Sequence, residues 1–166
     1  MSGGLPSSGE DEVFPPPPSR LRHALTGQAP VLAVIAVGGA LGALARYGAG
    51  LALPHVPGTF PLATFLVNVV GCLLIGALIV LVTEVTTAHP LVRPFLGTGI
   101  LGGFTTFSTY ATDAEVLLRT GLVATAAAYL AGTLVAAVAA TWLGIGLTRA
   151  VTAPGGRGRA TPGAGR

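Results

Sequence analysis

The sequence predicts an all-α integral membrane protein of four transmembrane helices with a break in the third. Three observations lead there. Charged residues make up 9% of the 166 and hydrophobic residues 51%, whereas a soluble domain carries roughly 25% charged residues to coat its surface. The stretches 62–83 and 120–148 hold no charged residue at all, and each exceeds the 20 or so apolar residues needed to cross a bilayer core about 30 Å thick. Runs such as 31–37 and 73–82 show no alternation of apolar and polar residues, so outer-membrane strands are excluded. Low aromatic content, 6%, together with 25 glycines, suits transmembrane helices that approach closely.

Residues 1–29 read as a disordered tail holding Glu10, Asp11, Glu12 and the run Pro15-Pro16-Pro17-Pro18, a composition unable to build a core. The tail lacks the arginine-then-apolar order of a signal peptide. The membrane domain is expected over 30–149. Its first helix is expected at 30–53, with Pro30 suited to the start and Pro54 ending it. The second is expected at 61–85, followed by a turn at His89-Pro90. The third is expected at 91–118 and the fourth at 120–149, before a Gly-, Pro- and Arg-rich disordered tail at 150–166. Short connections predict that consecutive helices pack as antiparallel neighbours. Gly38-x-x-x-Gly42 and Gly99-x-x-x-Gly103 supply small surfaces where backbones can touch in lipid. Gly97-x-Gly99-x-x-Gly102 matches a dinucleotide fingerprint by letters alone, without the preceding strand that would give it meaning.

Three features interrupt an otherwise plain interior: Arg46, Asn68 and the segment from Gly102 to Tyr110. In that segment two glycines precede Thr105, Thr106, Ser108 and Thr109, and both residue types weaken a helix. A local break is predicted. At membrane depth irregular backbone is tolerated only inside protein or beside a polar cavity, where carbonyls can hold a cation and hydroxyls or amides an anion. The competing reading is an intact helix whose hydroxyls bond back to the preceding turn. Asn68 is either interhelical glue or an amide donor facing a pore. Arg46 is either an interfacial anchor or a vestibule charge that attracts anions.

The absences exclude other classes. Glu84 falls at a helix end, and Asp113 and Glu115 lie toward the end of the third helix, so no carboxylate occupies an apolar centre as proton coupling would want. His23, His55 and His89 fall in tails or loops, and no nucleophile–base pair lies within the bilayer; an enzyme is not expected. Cys72, the single cysteine, can form no internal disulfide or cysteine-based zinc site and reads as a packing residue. The net charge of +3 comes from arginine alone, placed at helix ends and tails, without the aromatic-interleaved basic face of a nucleic-acid binder.

Three stretches together resemble a known family. Gly38-Gly39-Ala40-Leu41-Gly42-Ala43-Leu44-Ala45-Arg46-Tyr47, then Thr64-Phe65-Leu66-Val67-Asn68-Val69-Val70-Gly71, then Gly102 to Tyr110 look like the signature stretches of the CrcB/Fluc fluoride channels, over roughly 31–148. The resemblance implies a dimer of two antiparallel subunits with two narrow pores, passively conducting fluoride and relieving its toxicity. It implies a sodium ion at the dimer centre on main-chain oxygens of the helix-three break, here the carbonyls of Gly102 and Thr105. The family's paired phenylalanines map to Phe107 and Tyr110, so tyrosine replaces phenylalanine at the second position while keeping an electropositive ring edge. The pore asparagine maps to Asn68, and a polar track on helix four to Tyr129 and Thr133, faced by Ser108 and Thr109. The chemistry is consistent: a dry pore must replace fluoride's water shell with donors, and conduction needs binding weak enough for exit. A central sodium would prefer the oxygen ligands of a hard cation.

Two rivals remain at the level of sequence: a small four-helix antiparallel multidrug transporter, disfavoured by the missing mid-helix carboxylate, and a non-conducting scaffold subunit. Four spans would place Arg20, Arg22, Arg93, Arg149, Arg157, Arg159 and Arg166 on one side and only Arg46 and Arg119 on the other. That seven-to-two bias favours cytoplasmic tails in the cell membrane. Either a homodimer or pairing with an oppositely oriented homologue follows.

Overall fold

The computed structural model describes residues 19–153 apart from His55, Pro57 and 86–88, with side-chain placement from Gln28 onward. Of the tails expected at 1–29 and 150–166, residues 150–152 continue the last helix, and 1–18 and 154–166 lie outside the described residues. Within them the protein is all-helical: α1 Ser19–Ala52, α2 Leu62–Val85, α3 over 94–104, α4 Ser108–Arg119 and α5 Val123–Thr152. The last turn of α2, Leu81–Val85, and most of α3, Pro94–Leu101, are π-helical.

Three helical stretches, Gln28–Ala52, Leu62–Val85 and Val123–Thr152, are long and apolar enough to cross a membrane. At 1.5 Å per residue the shortest of them measures about 36 Å. The remaining apolar run is the one expected to break, and it does. Thr105 adopts an extended backbone with ψ 158°, and 105–107 separate α3 from α4.

Two expectations need correction. The first helix begins at Ser19, not Pro30, so residues 19–29 belong to a helix and Pro30 lies inside it. An interior proline loses its own N–H bond and crowds the carbonyl one turn back, at about 3 kcal/mol in water, but membrane helices tolerate it where neighbouring groups satisfy the freed carbonyl, so Pro30 does not mark the start. The neighbour relation also differs. α1 packs chiefly on α3, and α2 on α5, with little contact between α1 and α2. The partners run in the same direction: Gly38 lies against Gly99 and Gly42 against Gly103, while Asn68 shares a groove with Thr133 and Glu84 pairs with Arg149 further along.

Small residues decide this pairing. A Cβ on Gly38 would sit 2.6 Å from the Phe95 carbonyl oxygen, and one on Gly42 would sit 2.8 Å from the Phe104 nitrogen. Gly76 and Gly144 likewise press against the backbones of α5 and α2. Loop length says which helix comes next, but backbone contact in lipid is won by surfaces without side chains.

At one end Ala114, Leu117, Ala126 and Tyr129 form a buried cluster, flanked by Phe60, Phe65 and Tyr110. The turn from α4 to α5 closes on Gly121 at φ 79°. There the Leu122 N–H bonds the Leu117 carbonyl at 2.9 Å and the Gly121 N–H the Leu118 carbonyl at 3.1 Å, a Schellman closure. Elsewhere large apolar side chains face outward, Trp142 at 70% exposure among them, as lipid-facing helices require.

Candidate functional site: the broken helix and its two grooves

The break is held open by side chains that take the place of helical hydrogen bonds. Asn68, on the α2 face turned toward α3 and α4, grips the backbone of Thr106 at two points. Its Oδ1 accepts the Thr106 N–H at 2.8 Å, and its Nδ2 donates to the Thr106 carbonyl at 2.9 Å. The Thr106 hydroxyl in turn accepts the Thr109 N–H at 3.1 Å and donates to the Thr109 hydroxyl at 3.1 Å, with Ser108 Oγ at 3.3 Å. Gly71, one turn past Asn68, lets Thr105 lie directly on α2.

These substitutions free particular carbonyls. In a continuous helix the Thr106 N–H would bond the carbonyl of Gly102, and the Thr109 N–H that of Thr105. Here the first is taken by Asn68 and the second by the Thr106 hydroxyl. Gly102 is exposed on the subunit surface, and a Cβ there would find nothing nearer than 3.8 Å. Two main-chain oxygens without their helical partners, one beside open space, form a donor set that fits a hard cation. Among the described residues no cluster of His, Cys, Asp or Glu offers an alternative.

A groove of about 430 Å³ lies on one side of the break, lined by Asn68, Cys72, Phe107, Tyr110 and Thr133 among others. Phe107 is 79% exposed, its ring centroid 5.8 Å from that of Tyr110. The Tyr110 hydroxyl donates to the Leu130 carbonyl at 2.8 Å, so the residue offers the groove its ring while its polar end is occupied. Thr133 is buried, and its hydroxyl has no hydrogen-bond partner among the described residues. A buried hydroxyl left unpaired costs about 1–3 kcal/mol, which marks the place where a ligand would be welcome.

On the other side lies a groove of about 300 Å³ lined by Arg46, Thr64, Thr106 and Thr109 among others. Thr106 borders both grooves, so the Asn68–Thr106 pair stands as the wall between them. Arg46 is half-buried there and makes no ion pair among the described residues.

The structure therefore gathers Asn68, Phe107, Tyr110 and Thr133 on one groove and Arg46 with Thr109 on the other. Ser108 is exposed and bonded to Thr106 without lining either groove. Tyr129 departs from its expected place on the polar track. It is fully buried in the core cluster, its ring 5.2 Å from that of Tyr110, because α5 turns it toward Phe60 and α4 rather than outward.

Two participants escape a linear reading. Asp113 accepts from the Thr64 hydroxyl at 2.7 Å and from the Tyr129 hydroxyl at 3.3 Å. This places a carboxylate one turn beyond Tyr110, behind the ring pair. The signal was the three-residue spacing from Tyr110 along a helix, which shares a face. Cys72, half-buried, lines the first groove one turn from Asn68.

An all-α membrane protein whose third apolar segment breaks between two grooves is the class these features define. The family model described as "CrcB-like protein, Camphor Resistance (CrcB)" matches residues 33–145. The chain is 56% identical over 128 residues, 77% of this chain and 81% of the relative, to "Fluoride-specific ion channel FluC 2" of Streptomyces avermitilis. It is 56% identical over 124 residues, 75% of this chain and 80% of the relative, to "Fluoride-specific ion channel FluC 1" of Streptomyces coelicolor. The "Fluoride-specific ion channel FluC" of Nitratidesulfovibrio vulgaris shares 44% over 121 residues, 72% of this chain and 98% of its own length. This chain belongs to the CrcB family of membrane proteins.

Proposed function

We propose that this chain is a subunit of a fluoride-specific ion channel that passively exports fluoride across the cell membrane and lowers its toxicity. The observation that carries the reading is the stapled break at 105–107 beside a groove holding an unpartnered buried hydroxyl on Thr133. Fluoride entering a dry path needs donors in place of water. The Thr133 hydroxyl, the second amide hydrogen of Asn68 and the positive ring edges of Phe107 and Tyr110 supply them without a fixed charge that would trap the ion. Arg46, in the adjoining groove, raises the local anion concentration at the entrance. Thr109 shares that groove; Ser108 supports the first turn of α4; Tyr129 holds Tyr110 from behind.

The full assembly in this reading has four spans per subunit, the third being the broken one, and two subunits packed antiparallel. The exposed apolar faces and the exposed Gly102 support completion by a second subunit. The carbonyls of Gly102 and Thr105 are the groups suited to a structural sodium ion at that centre, where it would contribute positive charge between the two anion paths. The arginine bias supports cytoplasmic tails, and with them a heterodimer with an oppositely oriented homologue over a homodimer.

The test is fluoride efflux from proteoliposomes, read with a fluoride electrode, for the chain alone and reconstituted with an oppositely oriented homologue. Efflux that needs no proton gradient is expected. Proton-coupled drug movement, or no flux in either preparation, would sink the proposal.

A further inference from the structure

A third groove, of about 230 Å³, lies between α2 and the start of α3, away from the break. Ile75, Leu78, Ile79 and Val82 line it, at the i, i+3, i+4, i+7 spacing of a single helix face. Gly97 keeps the opposite wall low: a Cβ there would only touch Leu78, at 3.5 Å. Arg93 stands at the polar end of the groove.

Arg93 differs from the other arginines of known placement. Arg149 at the same end is paired with Glu84, and Arg119 at the other end with Glu115. Arg46 belongs to a groove at the break. Asp113 is engaged by Thr64 and Tyr129. Among the described residues no carboxylate pairs with Arg93. A molecule with an anionic head and an apolar chain satisfies both parts of the groove.

We infer that this groove binds one anionic phospholipid, its phosphate on Arg93 and an acyl chain along the Ile75–Leu78–Ile79–Val82 face. The site is independent of ion conduction and requires only that the chain lie in a bilayer.

The experiment titrates the purified full-length protein with phosphatidylglycerol, phosphatidylcholine or glycerol 3-phosphate and counts bound lipids and subunits by native mass spectrometry. The wild-type protein is expected to prefer phosphatidylglycerol. Arg93→Gln, at an exposed side chain, should lower that preference about fivefold, the factor for one arginine at an anionic surface, with subunit number unchanged. Gly97→Leu, which raises the low wall, should weaken retention of both lipids. A preference that survives Arg93→Gln would overturn the inference. So would a change in subunit number, which would make the face a contact between copies, or glycerol 3-phosphate competing as well as intact lipid, which would make it a free-phosphate site.

Discussion

Asn68 shows how one side chain can maintain a gap in a membrane helix. Its amide offers a donor and an acceptor at the spacing of a peptide group, so the Thr106 backbone stays satisfied while leaving the helix. Asn68→Leu should therefore abolish fluoride efflux and also lower thermal stability, by about 1–3 kcal/mol for each buried backbone group left unpaired; melting in detergent checks the second effect. Thr133→Val should separate the two effects. Removing an unpartnered hydroxyl leaves stability equal or higher, while efflux falls because a donor is lost. A Thr133→Val channel that conducts normally would remove this residue from the path. Phe107→Leu, at a side chain that buries little, should cut efflux with stability within about 0.5 kcal/mol of wild type. At this scale the sequence was informative where a polar residue stood alone among apolar ones, as Asn68 does. It was silent where contact joins distant positions: Thr64 and Asp113 are 49 residues apart, and spacing cannot show that they meet.

Glycine placement governs how the helices associate. Gly42 and Gly146 are both helical glycines, yet a Cβ on the first would strike the backbone of α3 and one on the second would meet nothing within 4 Å. Gly42→Ala should thus destabilise the protein by about 1–3 kcal/mol through overpacking, whereas Gly146→Ala should be neutral or stabilising by up to about 1 kcal/mol through helix propensity. Parallel unfolding curves of the two variants give the comparison; equal melting would mean that α1 and α3 do not touch as described. The Gly-x-x-x-Gly spacings were readable in advance, and so was the weakness of 102–110. The pairing of α1 with α3 was not, since loops report order along the chain while complementary bare surfaces decide proximity. Pro30 misled because membrane helices tolerate an interior proline that helices in water disfavour.

For the whole molecule, composition alone announced the membrane, because 9% charge cannot cover a water-facing surface. Partners and orientation depend on interactions outside one subunit, which is why sequence carried them only as a bias among nine arginines. That bias predicts a single orientation, with a C-terminal reporter active on the cytoplasmic side only; signal from both sides would favour a homodimer of dual insertion. The like-directed pairing of helices carries a consequence for biogenesis. α1 finds its principal contact in a segment synthesised some forty residues after its own end, about two to eight seconds later at ordinary elongation rates. The second span enters lipid in between and waits a similar interval, about forty residues, for α5. The nascent protein thus holds two unmatched hydrophobic rods before any tight interface exists, and Asn68 reaches the bilayer before the unwound peptide it will cradle has left the ribosome.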